Sequence, residues 1–338
     1  MQDIVAVHGS YFARNFGDML LIRLLCDYIQ EVVGLDVRLA VPGSEFDRRL
    51  IGYPVVDQEK MREVRKLVFA GGGYFGEPPG GMATRLRWSV RNHNRHLRWN
   101  HEYARADLAF FGIGVGPLGV GPFRWMVKDR LKRSSLLIAR DEESIAFCRA
   151  WGISHGRLGV DYALSLFRER PAKSPSGIAL IHLSGEVNET ERAALASLRL
   201  CYPRHRLLSI EDQYWDQGSR RRTVSPSELG MDGLVPFENV DQLLGIIEAS
   251  DIILTNKLHV GITGLALGAK VISLPRHPKT ARLYRQLGLT QFCMPQELFD
   301  VKRFRRICEN LDEQMADLKR AKSITEQMER ELCSFLSD

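Results

Sequence analysis

No stretch of this 338-residue sequence stays apolar for the length a membrane-spanning helix needs. The opening residues Met1–His8 read as a strand without a basic leader, so no signal peptide is expected. The six cysteines (Cys26, Cys148, Cys201, Cys293, Cys308 and Cys333) are scattered and form no C-x-x-C pair. That spacing argues against a disulfide framework and a zinc site, and for reduced thiols in the cytoplasm. No cluster of ligands calls for a metal. Repeats, low-complexity tracts and nucleic-acid-binding motifs are missing as well, so nucleic acid is not an expected partner. Gly112-Ile113-Gly114-Val115-Gly116-Pro117 is no dinucleotide fingerprint: the last glycine is misplaced and a proline follows it. Charge of one sign is only modestly in excess, 47 Lys and Arg against 41 Asp and Glu. A net +6 permits an anionic partner without naming one.

What is present is the composition of a globular protein, 44% hydrophobic and 26% charged, long enough for two domains. Strand and helix patterns alternate, which predicts parallel sheets. Strands are expected at Ile4–His8, Val37–Val41, Lys66–Ala70, Leu108–Ile113 and Ser135–Ala139, with helices at Gly17–Val33 and Glu142–Trp151. After Asp161–Leu166 comes Arg168–Gly177, whose two prolines and small and charged residues read as a linker. The pattern then restarts, with strands at Ile178–Leu183, Arg206–Ile210, Ile252–Thr255 and Val271–Leu274. Helices are expected at Glu189–Leu198 and Val240–Ala249, and Arg220–Glu228 reads as a solvated loop. From Gln296, apolar residues at three- and four-residue steps (Leu298, Val301, Phe304, Cys308, Leu311, Met315, Leu318) predict long C-terminal helices. The expected architecture is α/β: two Rossmann-like domains, 1–170 and 171–338, with parallel sheets facing a cleft and the C-terminal helices in the second domain.

The most telling junction is Asp251–Thr255, a uniformly apolar strand, followed by Asn256-Lys257-Leu258-His259 and a small-residue helix from Gly261. In open α/β sheets ligands bind at the carboxyl ends of the strands. A lysine and an imidazole there, beside free helix N–H groups, suit an anion. An isolated histidine is more often a core residue bonded to a backbone carbonyl; Lys257 two positions away tips His259 toward function. Arg140 ends the strand Ser135–Ala139 ahead of a helix with Asp141 as its expected N-cap. Its two readings are an anion ligand at the sheet mouth and an ion pair with Asp141 or Glu143. Gly72 and Gly73 read as turn residues lining the site, either for close ligand approach or simply for the turn. Asp18, at the start of the first helix, is either a dipole-stabilised acid or an acceptor-side group. Glu77 and Asp161 stay unassigned.

Several blocks in order resemble the polysaccharide pyruvyl transferase family, whose members resemble GT-B glycosyltransferases in fold. They are Gly9-Ser10-Tyr11 with Asn15-Phe16-Gly17-Asp18; Phe69-Ala70-Gly71-Gly72-Gly73; Gly112–Pro117; Ala139–Ser144 with Gly159-Val160-Asp161; and Lys257-Leu258-His259 with Gly268–Ile272 and Pro278-Lys279. The family usually has Arg-Leu-His where this chain has Lys257-Leu258-His259, and often an acid where Met19 stands. The resemblance implies transfer of the pyruvyl group of phosphoenolpyruvate onto two sugar hydroxyls as a cyclic ketal, with phosphoenolpyruvate as co-substrate and no cofactor. It implies His259 as general acid or phosphate ligand, Arg140, Lys257 and Lys279 as ligands of the donor phosphate and carboxylate, and Asp18 on the acceptor side. Without it Lys279 would read as an ordinary surface lysine. The implied setting is biosynthesis of a cell-surface polysaccharide on the cytoplasmic side, with a saccharide acceptor carried free or on a lipid.

Two stretches are both basic and aromatic, Arg85–Arg105 and Phe123–Arg133. As helices they would suit an anionic membrane face or an acceptor sugar; the plainer reading is a solvated face with its tryptophans, among them Trp88 and Trp99, in the core. Two further functional readings stand beside the transferase. One is a GT-B sugar-nucleotide glycosyltransferase, for which Glu248 and Asp251 are the only acids placed to hold a ribose. The other is a non-catalytic protein that binds anionic glycans or membrane.

Overall fold

A computed structural model describes residues 4–41, 43–78, 80–97, 103, 105–119, 121–168, 174–214, 229–312 and 318–338. Half of the expected linker (169–173), Arg98 and Trp99, the loop Arg220–Glu228 and Met315 lie outside the described residues. The strands are β1 Ile4–His8, β2 Asp36–Leu39, β3 Lys66–Phe69, β4 Gly72–Phe75, β5 Asp107–Val115, β6 Leu136–Ala139, β7 Arg157–Leu158, β8 Ile178–His182, β9 Arg206–Ile210, β10 Gly233–Val235, β11 Ile252–Thr255 and β12 Lys270–Ser273. The helices are α1 Phe16–Asp27, α2 Glu45–Ile51, α3 Met82–Asn92, α4 Pro122–Arg133, α5 Glu142–Ala150, α6 Glu189–Cys201, α7 Val240–Ala249, α8 Leu258–Ala266, α9 Pro278–Gln286, α10 Val301–Glu309 and α11 Leu318–Ser337. No helix among the described residues is long and apolar enough to cross a membrane.

Two parallel sheets form, as the alternation predicts. The first runs β2-β1-β3-β5-β6-β7, with β4 also paired to β5; the second runs β10-β9-β8-β11-β12. Relative to its first strand, the second order is 3-2-1-4-5, a doubly wound sheet that changes direction between β8 and β11. β8 and β11 are almost wholly buried, which is why their sequences show no polar alternation. In the first sheet Phe69 and Phe110 stack at 4.6 Å across β3 and β5, and Phe75 and Phe123 join them.

The chain divides into two compact units. The first is Met1–Arg14, Asp18–Tyr162 and Ser323–Asp338; the second is Asn15–Gly17 and Ala163–Lys322. This corrects the assignment of all the C-terminal helices to the second domain. The apolar spacing announces helices but not their partner, and Ser323–Asp338 packs on the first unit. Met328 lies where a side chain on Gly159 would stand, 2.6 Å from its Sδ, and accepts a hydrogen bond from Val160 N. Tyr162 Oη donates to the Glu329 carboxylate at 3.0 Å and Tyr28 Oη to the Glu329 carbonyl at 2.9 Å. Of the expected stripe, Leu298 and Val301 are exposed, while Phe304, Cys308, Leu311 and Leu318 are buried. The sequence pattern also passed over three strands, β4, β7 and β10. All are short, and β4 is half glycine, which has no side chain to announce a face.

His8, the last residue of β1, is fully buried against Tyr11, Phe69 and His96, its Nε2 3.3 Å from His96 Nδ1. Burial takes His8 from its ordinary 6.5 down to about 3 and lowers His96 too, helped there by the His8 and Arg95 charges. The folded state thus binds fewer protons than the unfolded chain. Stability is complete above about pH 6.5 and is lost as the pH falls from there toward about 3. Lowering the pH from about 7.5 to about 5.5 should therefore reduce the unfolding free energy. Urea unfolding at the two pH values measures this; a His8→Gln variant should show a shallower pH dependence, and an unchanged slope would refute the assignment.

Candidate functional site

In the second unit the chemistry-bearing side chains gather at the carboxyl ends of its strands. β8 ends in His182, β9 leads to Asp212, β11 to Lys257 and His259, and β12 to Arg276, His277 and Lys279. Lys257 is the N-cap residue of α8 and His277 that of α9, and neither helix start has a side-chain cap. Pro278 opens α9 without needing a hydrogen bond of its own. The first-turn N–H groups of α8 carry partial positive charge beside the cations.

Asp212 links three of these ends. Its Oδ1 lies 3.3 Å from His182 Nε2 and its Oδ2 3.5 Å from Lys257 Nζ. Burial pushes its carboxyl up, but the His182 and Lys257 charges outweigh that and hold it well below the ordinary carboxylate range. His182 Nδ1 in turn sits 3.1 Å from Thr255 Oγ1, which accepts from Lys257 N. His277 reports the positive field of the cluster. Partial burial first, then the charges of Lys279, Lys257 and Arg276, make its proton harder to hold.

The segment Asn15–Gly17 belongs to this unit. Phe16 N donates to Asp212 O at 2.6 Å, and Asn15 pairs with Gln213. Gly17 then comes directly under the half-buried His259: a β-carbon at Gly17 would stand 1.9 Å from the His259 Nδ1. Asn15-Phe16-Gly17-Asp18 reads in sequence as a helix start. The glycine in it serves the imidazole.

Behind the cluster lies Glu191, the third residue of α6, with no exposed surface. It closes a capping box with Asn188, accepts from Asn256 Nδ2 and Gln296 Nε2, each at 2.8 Å, and pairs with Arg276 through two nitrogens. Asn256 also bonds both ways to Ser184 in the loop after β8. Arg276 is therefore engaged by Glu191.

The other candidates lie in the first unit. Arg140 follows β6 and is nearly buried, with Nε 3.4 Å from Asp141 and Nη1 3.5 Å from Asp161. The ion-pair reading of Arg140 is realised with Asp141, and Asp161, unassigned from sequence, is its second partner. Asp141 also caps α5 as expected, accepting from Ser144 N at 2.8 Å. The guanidinium runs past two glycines: a β-carbon on Gly73 would meet Nη2 at 3.3 Å, and one on Gly114 at 2.9 Å. Gly72 adopts φ 128°, a conformation that favours glycine. The glycine runs thus make room for Arg140. Asp18 is half-buried in the first turn of α1, beside the fully buried Met19. Glu77 pairs with Arg85 at 3.4 Å, its side chain almost wholly covered.

A family model, polysaccharide pyruvyl transferase, matches residues 15–278. The chain belongs to the polysaccharide pyruvyl transferase family. The match begins at the segment that seats His259 and ends at Pro278, so it takes in Arg140, Lys257 and His259 and stops one residue short of Lys279. The family's activity is pyruvyl transfer in polysaccharide biosynthesis. A comparison with curated proteins finds no match. Among solved structures, the UDP-GlcNAc 2-epimerase of Neisseria meningitidis bound to UDP-GlcNAc is similar at TM-score 0.58 and 8% identity, over 98% of this chain and all of that one. Anabaena Alr3699/HepE in complex with UDP-glucose is similar at 0.55 and 13%, over the whole of both chains. The UDP-N-acetylglucosamine 2-epimerase of Rickettsia bellii gives 0.55 and 13%, over all of this chain and 97% of that one. At such identities the likeness is one of fold, which is GT-B-like as expected.

Sequence reasoning missed His182, Asp212 and Glu191. The first two stand at strand ends, where the rule that singled out Lys257 would also have found them. Glu191 reads as an ordinary capping-box acid, and nothing nearby in sequence announces its distant partners.

Two substitutions probe this arrangement. Glu191→Ala strands the Arg276 charge and should cost about 3 kcal/mol, read as a lower urea midpoint. Gly17→Ala should lower the melting temperature, because the clash extends to the His259 Cβ at 2.7 Å, and should lower turnover about a hundredfold by displacing the imidazole; wild-type turnover in the folded variant would show that the contact is irrelevant to chemistry.

Proposed function

We propose that the chain transfers the pyruvyl group of phosphoenolpyruvate to two hydroxyls of a saccharide as a cyclic ketal, in the cytoplasm, during assembly of a cell-surface polysaccharide. The observation that carries this reading is that Lys257 and His259, inside the segment matched by the family, and Lys279, one residue beyond it, lie in one unit just after the neighbouring parallel strands β11 and β12. Lys257 and Lys279 take the donor's phosphate and carboxylate. His259 delivers a proton to C3 of the enol, which makes C2 electrophilic. One sugar hydroxyl adds to C2 and loses its proton. Inorganic phosphate departs with the C2–O bond electrons, and the second hydroxyl closes the ring and loses its own proton. Asp212 holds the Lys257 ammonium and so sets where the donor anion meets it. Asp18, on the acceptor side, and Arg140, as a further donor ligand, complete the proposed residue set.

A second reading has one observation in its favour: the similar structures named above include proteins bound to UDP-sugars. Against it, Asp251 is not available to a ribose. It stands before β11, at the opposite end from the cation cluster, and accepts from Ser176 N and Gly177 N at 2.9 and 2.7 Å.

Thermal unfolding separates the two readings, since a ligand selective for the folded state raises the midpoint. Phosphoenolpyruvate should raise it and UDP-sugars should not; the reverse pattern favours the second reading. His259→Ala should abolish phosphate release from phosphoenolpyruvate while the fold persists. Lys279→Ala should weaken donor binding by about tenfold, or about 1.4 kcal/mol. An unchanged donor dissociation constant in Arg140→Ala would remove Arg140 from the donor site.

A further inference from the structure

Helix α3 has its amphipathic character turned inside out. It buries Ser89 and Asn92 and presents Met82, Leu86 and Val90, four residues apart along one stripe, to solvent at 66%, 47% and 46% exposure. A helix of an ordinary soluble surface does the opposite. The inversion has a local cause on its buried side. Ser89 Oγ accepts from Phe123 N at 3.1 Å, Asn92 Nδ2 donates to Trp88 O at 2.9 Å, and the Trp88 ring stands edge-on to Phe123 at 5.3 Å. These contacts lock α3 to the start of α4. Leu86 reaches α4 as well, since a β-carbon at Gly121 would lie 3.4 Å from its Cδ1. One turn into α4 stands Trp125, 77% exposed and the most exposed of the large apolar side chains among the described residues. Four of the ten such exposed side chains fall on these two helices, so the patch is not the usual scatter of single residues.

The two helices carry eight basic residues and one acid, Asp129, which is paired to Arg133 at 3.0 Å. Arg87 and Arg91 on α3 and Arg124 and Lys132 on α4 are exposed. We propose that the α3–α4 face docks on an anionic lipid surface, with Met82, Leu86, Val90 and Trp125 entering the headgroup region and the arginines and lysines meeting lipid phosphates. Apolar residues on one side and cations around them are the signature of an interfacial helix, and an exposed tryptophan suits the headgroup level. A second copy of the chain is a poor occupant, because two such faces carry strong charge of one sign. Nucleic acid would use the cations and leave the stripe uncovered. The inference does not depend on the donor chemistry proposed above.

The test is co-sedimentation of the full chain with vesicles of phosphatidylcholine alone and of phosphatidylcholine mixed with phosphatidylglycerol. Binding should be at least about tenfold stronger to the anionic vesicles and should fall as salt is raised. Tryptophan emission should shift to the blue on binding, and Trp125→Phe should remove most of that shift. Leu86→Ser with Trp125→Ser should lose binding, and Arg87→Glu with Arg91→Glu and Lys132→Glu should lose the preference for anionic lipid. All these side chains are exposed, so the melting temperature of each variant should match the parent. Binding that is absent, indifferent to lipid charge, or unchanged in both variants overturns the proposal. So does a concentration-dependent dimer that Leu86→Ser abolishes, which would give the face to a second copy.

Discussion

The buried carboxylate of Glu191 sets the geometry on which the second unit's chemistry depends. A carboxylate with no exposed surface persists only where cations and donors satisfy it, and Glu191 collects them from distant parts of the chain. Arg276 comes from beyond β12, Asn256 from the end of β11 and Gln296 from the turn before α10. Each donor fixes the loop it sits on. Asn256 precedes Lys257, and Arg276 stands three residues before Lys279, so both lysines are anchored one step from the same group. Such an arrangement commits hydrogen-bonding capacity to holding the loops after β8, β11 and β12 in place.

Glycine provides the complementary constraint. At Gly17 the space a side chain would fill is taken by the His259 ring, at Gly73 and Gly114 by the Arg140 guanidinium, and at Gly159 by Met328. In each case a large side chain from a distant part of the same unit lies across the bare backbone. The glycine-rich blocks are therefore the receiving half of close contacts within the protein, and their spacing reflects the partner's position. This is a different use from the phosphate-cradling loops that glycine clusters bring to mind, and it accounts for a pattern that matches no dinucleotide fingerprint.

Much of the fold was legible because parallel strands buried on both faces leave uniform apolar runs, as at Ile252–Thr255, and these place the strand ends where ligands gather. Lys257, His259 and Lys279 could be singled out on that basis and on the resemblance. What the sequence did not show were pairings at long range. Asp212 differs from any loop acid only by facing His182 and Lys257, and Glu191 only by facing Arg276. The seating of His259 on Gly17 joins residues more than two hundred positions apart. The C-terminal stripe falls partly on α10 and on the start of α11, but periodicity reports a face and not what covers it, and the rest of α11 belongs to the first unit.

Asp212 also gives a physical account of the lysine at position 257, where the family usually has arginine. Its two oxygens are divided, Oδ1 toward His182 and Oδ2 toward Lys257. An arginine would form its best pair by engaging both oxygens of one carboxylate in parallel. Here one oxygen is already committed to the imidazole, so a fork would have to displace His182 or accept a single bond. A lysine ammonium is a point charge and loses little in a one-oxygen contact. At 3.5 Å that contact is long for a charge-assisted hydrogen bond, and the lysine side chain is nearly half exposed. The ammonium is therefore oriented by Asp212 rather than consumed by it. Lys257 and the His182–Asp212 pair thus belong together as one local solution, in which the carboxylate's divided geometry and the point charge each make the other workable.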